Sequence, residues 1–177
     1  MRIFLKITLI ILAFFNSFGH ADEYKYILNE KELNEIYIPA YEQFKDSDIE
    51  VIKFPQGIIL RIFINDICEE YCQISPEIFI KINNIKNFLA NFQNPVIIEV
   101  HAERTFSAKF SFIKKWEITT VIANNIEKIV SNMNKNSKRN INSVGYGEFM
   151  PMKNTPNNGG KSSDRIDIII LCNISGE

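Results

Sequence analysis

Between Ile49 and Ile174, short apolar runs alternate with two stretches whose apolar residues recur at helical spacing, and few architectures satisfy that alternation. Ile49 to Phe54 and Ile58 to Ile64 flank Pro55-Gln56-Gly57, the pattern of a hairpin. The second run is almost wholly apolar, as a strand with both faces covered requires. Ser75-Pro76-Glu77 marks a helix start: a capping hydroxyl, a proline at the first helical position and an acid at the positive end. Ile78, Ile82, Ile85, Leu89 and Phe92 then form one stripe, closed by Asn94-Pro95. Val96 to His101 reads as a strand. A second helix is expected near Lys114 to Met133, with Ile118, Val121, Ile122, Ile126, Ile129, Val130 and Met133 as its stripe. Lys135 to Asn140 is a basic turn, and Ile141 to Tyr146 and Arg165 to Ile174 read as the last two strands. This order predicts an α/β (α+β) two-layer sandwich, a mixed sheet with two helices on one face. Each crossover is expected to set the strand after a helix beside an earlier parallel strand.

The segments ahead of Ile49 differ in kind. Arg2 and Lys6 precede an apolar run from Ile7 to Phe18, and Gly19-His20-Ala21 offers small residues before Asp22. That is the layout of a secretory signal peptide over residues 1–21, cut before Asp22. The run is short for a bilayer span, which takes about 20 apolar residues, so the mature chain is expected to have no membrane span. Residues 22–48 read as an N-terminal extension in which Lys31 to Phe44 suits a helix that Pro39 would break or start. Residues 49–177 form the expected domain. Apolar residues make up 46% of the chain, enough for a core, and the formal net charge of −1 gives no grip on nucleic acid. Export permits disulfides. Cys68 and Cys72 are a candidate local pair, while Cys172, in an apolar strand, is expected to be a buried thiol. A lone C-x3-C lacks the second ligand pair of a zinc site and the C-x-x-C spacing of a redox motif, which leaves both readings weak.

Chemistry concentrates near the strand ends. Glu99, His101 and Glu103 alternate and so share one strand face, a pattern that could hold a metal or serve acid–base catalysis, or simply line a polar strand face. No Ser/His/Asp set, phosphate loop or second nearby histidine joins them, so neither an enzyme nor a cofactor is expected. From Ser143 to Ile170 a strand leads into a polar loop and back into a strand. Its residues come in a fixed order: Gly145-Tyr146-Gly147-Glu148, Pro151, Asn154-Thr155-Pro156, Gly159-Gly160 and Asp164-Arg165-Ile166-Asp167-Ile168. This order resembles the C-terminal end of the OmpA-like domain, in the version found in the flagellar motor protein MotB, where G-x-G-E-x-x-P, N-x-T, a glycine and N-R-R-V-E-I follow one another. Val100-His101-Ala102-Glu103 stands where that family has G-H-T-D, and Trp116-Glu117-Ile118-Thr119-Thr120-Val121-Ile122-Ala123 resembles W-E-L-S-x-x-R-A. The resemblance covers about residues 49–172.

The resemblance implies a periplasmic domain that grips the stem peptide of peptidoglycan. In the family an Asp pairs with the ligand ammonium and an Arg forks onto its carboxylate. Carried over residue by residue, the candidate ligand-binding positions here are Glu103, Asn154, Thr155 and Arg165, with Arg104 as a neighbour able to stand in for the missing fork. The chain departs from the pattern where binding is decided. The Asp is Glu103, the Arg is Ile122, and in N-R-R the first two residues are Ser163 and Asp164. Ile122 also lies on the apolar stripe and is expected in the core. Arg165 is expected either at a solvated strand edge or on the ligand. The expected function is a non-enzymatic periplasmic scaffold subunit of an envelope-spanning assembly, a secretion system or a motor, with weakened wall binding. A peptidoglycan-binding tether is the alternative, and a metal-dependent enzyme the remote one. The expected partners are subunits of an envelope complex and the peptidoglycan stem peptide, with an outer-membrane association a further expectation.

Overall fold

The computed structural model describes residues 30–64, 74–102, 115–132, 139–150 and 164–173. The elements in chain order are α1 (Glu30–Phe44), β1 (Ile49–Phe54), β2 (Gly57–Phe63), α2 (Pro76–Leu89), β3 (Val96–His101), α3 (Lys115–Ser131), β4 (Ile141–Gly147) and β5 (Arg165–Leu171). The strands form a five-stranded mixed sheet in the order β1-β2-β5-β3-β4. Only β3 and β4 run parallel; the other neighbours are antiparallel. The crossover through α3 does set β4 beside β3, as expected. The crossover through α2 does not set β3 beside β2, because β5 inserts between them.

Alternation along each strand builds one core. Ile58, Leu60 and Ile62 of β2, Val96, Ile98 and Val100 of β3, and Ile166, Ile168 and Ile170 of β5 are fully buried and belong to one cluster with the helices. Ser75 caps α2 by accepting from the Ile78 N–H, with Pro76 and Glu77 placed as the sequence implied. Ile78, Ile82, Ile85 and Leu89 are buried, joined by Phe88. In α3, Ile118, Ile122, Ile126 and Val130 are buried, but Val121 is exposed and Thr119 and Ala123 take core positions instead. At about 100° per residue, Val121 falls on the far side of the arc that the buried residues share.

Residues 30–44 form a single helix that runs through Pro39. The break expected there does not occur. Pro39 is exposed, so the carbonyl that loses its helical partner faces water. The cost of about 3 kcal/mol for an interior proline is offset because Leu33, Ile36, Ala40 and Phe44 are buried in the common core, each large apolar side chain contributing about 1.5–3 kcal/mol. Glu32 ties α1 to the far end of the sheet: its Oε1 accepts from Asn94 Nδ2 at 2.8 Å and from Asn173 Nδ2 at 2.8 Å. Cys172 is half-buried and free, and burial, with the charge of Glu32 beside it, pushes its thiol up. Cys68 and Cys72 lie outside the described residues.

Candidate functional site: a charged network on the sheet face away from the helices

The residues of β2, β5, β3 and β4 that point away from the helices carry the chemistry. No described helix covers that face. The register pairs Arg61 with Asp167 and Asp167 with Glu99, and pairs His101 with Arg165. Arg61 forks onto Asp167: Nε donates to Oδ1 at 2.7 Å and Nη2 to Oδ2 at 2.9 Å. Arg165 Nε donates to the same Oδ2 at 3.0 Å, and its Nη2 donates to the Met150 carbonyl at 3.3 Å. His101 Nε2 stands 3.3 Å from Glu99 Oε2 and 4.0 Å from Asp167 Oδ2. Tyr146 stacks on His101 with ring centroids 5.0 Å apart and donates to Glu99 Oε1 at 3.4 Å. Burial pulls the Arg61 guanidinium down, but the Asp167 bond, with the Asp167, Glu50 and Glu99 charges, more than offsets it and leaves it above its ordinary value. Burial, then Glu99, pushes the Tyr146 hydroxyl up.

The ends of β3 and β4 are knotted beside this network. Between Val100 and His101 the register with β4 shifts, so His101 faces Gly147. Gly147 has a φ of 55°, a left-handed conformation that favours glycine. Its N–H donates to Thr119 Oγ1 at 3.0 Å, and its carbonyl accepts from the Ala102 N–H at 2.9 Å. Gly145 lies so close under α3 that a Cβ would come within 2.1 Å of the Thr120 nitrogen. Glycine in G-x-G is therefore required twice, once for contact and once for conformation.

Of the residues singled out in the sequence, Glu103, Arg104, Asn154 and Thr155 lie outside the described residues. Ile122 is fully buried, as its place on the stripe implied. Arg165 corrects the expectation of a solvated strand edge: β5 is an interior strand, and Arg165 is buried with one arm on Asp167. Asp164 is also buried. Of the trio Glu99, His101 and Glu103, the last lies outside the described residues; among the described residues Glu99 and His101 are joined by Asp167, and the ligand atoms of these three lie within 4.8 Å of one another. That spacing alone would admit a cation. Asp167, however, already accepts from two guanidinium groups, which would repel one, and among the described residues His101 Nδ1 has no second-shell acceptor of the kind that orients a ligating imidazole. The arrangement suits an ion-pair network better than a metal centre.

Asp167 and Arg61 were not singled out by sequence reasoning. Their signal was present: a lone charge inside an apolar strand, as in Ile-Ile-Leu-Arg-Ile-Phe or Arg-Ile-Asp-Ile-Ile, implies a buried partner. Arg139, in the predicted basic turn, was also missed. Its Nη2 donates to the Leu89 and Phe92 carbonyls, closing the C-terminal end of α2.

No protein-family model matches the chain, and no curated protein matches it in sequence. Solved structures do. The chain is similar to the cell wall anchor of the T6SS from Pseudomonas aeruginosa, 13% identical, covering 80% of this chain and 97% of that one at a TM-score of 0.59. It is similar to a putative MotB-like protein from Desulfovibrio vulgaris, 14% identical, covering 81% and 94% at a TM-score of 0.63. It is also similar to the periplasmic domain of Helicobacter pylori MotB, 18% identical, covering 70% and 78% at a TM-score of 0.55. The class is an open α/β sandwich with its helices on one face of a mixed sheet. Within that class the chain has the OmpA-like fold, in the form that MotB periplasmic domains carry, with the divergent motif positions already named. Among the described residues no helix is long and apolar enough to cross a membrane.

Proposed function

We propose that this protein is a non-enzymatic periplasmic scaffold subunit of an envelope-spanning assembly, a secretion system or a motor, in which wall binding is weakened and contacts with other subunits of the complex dominate. The OmpA-like pattern places guanidinium groups at three positions, of which 164 carries an aspartate here, and the observation that carries this reading is the fate of the other two. Ile122 is fully buried in the core, and Arg165 is buried and committed to Asp167 and to the Met150 carbonyl. A ligand carboxylate that loses a charge-assisted partner forfeits about 2–5 kcal/mol. The likeness to a cell wall anchor and to MotB periplasmic domains supports placement in the periplasm and in an assembly of that kind. Export through the signal-peptide layout of residues 1–21, and outer-membrane association, belong to the same proposal.

The test is a pull-down of the full, processed protein on purified peptidoglycan beside a native co-purification from envelope extracts. Weak wall retention with stoichiometric recovery of envelope subunits is expected. Tight wall binding that Glu103→Ala abolishes would replace the scaffold with a peptidoglycan-binding tether.

A further inference from the structure

The sheet has two edges, β1 and β4, and they are built differently. β1 carries Glu50 and Lys53, both exposed, and Lys53 reaches across to α1, where its Nζ donates to Asn34 Oδ1 at 2.8 Å. Charges and a covering helix are how sheets keep stray strands from pairing with an edge. β4, Ile-Asn-Ser-Val-Gly-Tyr-Gly, has no charge and no proline. Val144, on its face away from the helices, is 38% exposed.

The register fixes which backbone groups this edge offers. Val96 pairs with Ile141, and the Val96 N–H donates to the Asn140 carbonyl at 2.9 Å. In a parallel ladder, alternate residues of a strand bond to the same neighbour. Asn140, Asn142 and Val144 therefore turn their N–H and C=O toward β3. Ile141, Ser143 and Gly145 turn theirs the other way, and among the described residues no strand lies beyond β4.

A strand added at this edge meets two different walls. On the helix side, Asn124 and Glu127 of α3 stand within hydrogen-bond reach of Ser143 Oγ, and Glu127 gives that wall a negative charge. On the other side stand Asn142 and Val144. A second copy of this chain does not suit the edge. The register that uses the outward groups of Ile141, Ser143 and Gly145 in both copies centres on Ser143 and sets Glu127 against Glu127. In addition, α3 lies directly over β4, where a Cβ on Gly145 would come within 2.1 Å of the Thr120 nitrogen. Paired strands are about 4.8 Å apart, whereas packed helices need about 8–10 Å, so two copies would drive their α3 helices into one another.

We propose that β4 is a strand-accepting edge: it takes an extended segment of another envelope subunit that is basic opposite Ser143 and Glu127, small elsewhere on the α3 side and β-branched on the Val144 side. Main-chain bonds to Ile141, Ser143 and Gly145 supply the affinity, and the alternating side chains choose the partner. The charge of Glu127 and the overhang of α3 set that choice. That the segment belongs to an envelope subunit rests on the scaffold reading; that the edge accepts such a strand does not.

The probe is a short capped peptide with lysine at its centre, valine on each side of it, and serine then threonine beyond, a symmetric order that can pair in either direction. It is added at about 1 mM to the full, processed chain, and amide hydrogen exchange is followed by NMR. Exchange at Ile141, Ser143 and Gly145 is expected to slow about tenfold, while Asn142 and Val144, already bonded to β3, change little. The same peptide with its amides N-methylated should have no effect. Ser143→Pro removes one edge-facing N–H without touching the β3 ladder, as prolines on edge strands do, and should weaken binding about tenfold. If that variant does not fold, Val144→Lys places a guarding charge on the edge and should weaken binding by a similar factor. Glu127→Lys should invert the charge preference, so that glutamate at the centre of the peptide gives the tighter binder. No protection at that concentration, protection that the N-methylated peptide also gives, or an unchanged preference in Glu127→Lys would each overturn the proposal. So would a dimer in analytical ultracentrifugation that protects the same amides without peptide. None of these readouts involves the wall or an envelope extract, so this inference and the proposed function fail separately.

Discussion

On β5 the residues that face the helices and those that face away alternate, and the two sets hold the protein by different physics. Ile166, Ile168 and Ile170 sit in a closed apolar core, where stability grows with area removed from water and tolerates a change of partner. Arg165 and Asp167, one residue out of phase, sit in a network whose stability depends on each partner being present. The core is additive and forgiving; the network is conditional. Breaking a buried pair by removing one member is costly, whereas replacing all members by apolar groups can be neutral.

That contrast can be broken or sharpened in five ways. The largest effect is expected from Ile122→Arg, which puts an unpaired charge in the core. A loss of about 5 kcal/mol, or of folding altogether, should appear in thermal melts. A folded, stable Ile122→Arg protein would mean that this side of α3 can open to admit the family's guanidinium. Next comes Asp167→Ala, which removes the carboxylate that Arg61 and Arg165 share; their side chains are 14% and 8% exposed. Denaturant titration should give a cost of about 3–5 kcal/mol. Replacing the three together, Arg61→Met, Asp167→Leu and Arg165→Leu, should by contrast be near neutral or stabilising by about 1–4 kcal/mol. If the triple variant is as damaged as the single one, the network holds the sheet together by more than the pairing of its own charges.

Ile168→Ala, on the opposite face of the same strand, should cost about 2–4 kcal/mol with no dependence on its polar neighbours. A double-mutant cycle with Asp167→Ala then measures how far the two faces are coupled. The smallest effect is expected at Asp48, an exposed carboxylate whose hydrogen bond from Lys81, with the charge behind it, outweighs its burial and holds it below its ordinary value. Because the folded value is depressed, the contribution is present above the ordinary carboxylate range and disappears as pH falls through the folded value. Asp48→Asn should therefore cost under about 1 kcal/mol near neutral pH and nothing in strong acid.

The elements were legible in the sequence wherever one periodicity dominated. The helix stripes, the Ser75 cap, the hairpin at Pro55-Gln56-Gly57 and the burial of Ile122 follow from local spacing and turn chemistry, which travel with the chain itself. Pro39 was misleading because propensity is a local term, while the four buried residues of α1 are stabilised by strands far along the chain. The motif order from Gly145 to Asp167 carried the fold type, and the glycines at 145 and 147 have physical causes in α3 packing and in a positive φ.

The site was less legible. Alternation along β3 placed Glu99 and His101 on one face, which is a property of any strand. It could not name Asp167 as their third neighbour, nor Arg61 as its partner, because those contacts depend on β5 entering the sheet between β2 and β3. Arg61 and Asp167 are 106 residues apart in sequence and meet only through that register. For the same reason the sequence left Arg165 either at a strand edge or on a ligand, and its strand proved interior. The sequence by itself determined which residues are apolar, where each element starts and turns, and which family's motif order it follows. Tertiary structure alone decided strand order, and with it which charges share a face, because a one-strand change in pairing exchanges every long-range neighbour while leaving each local pattern intact.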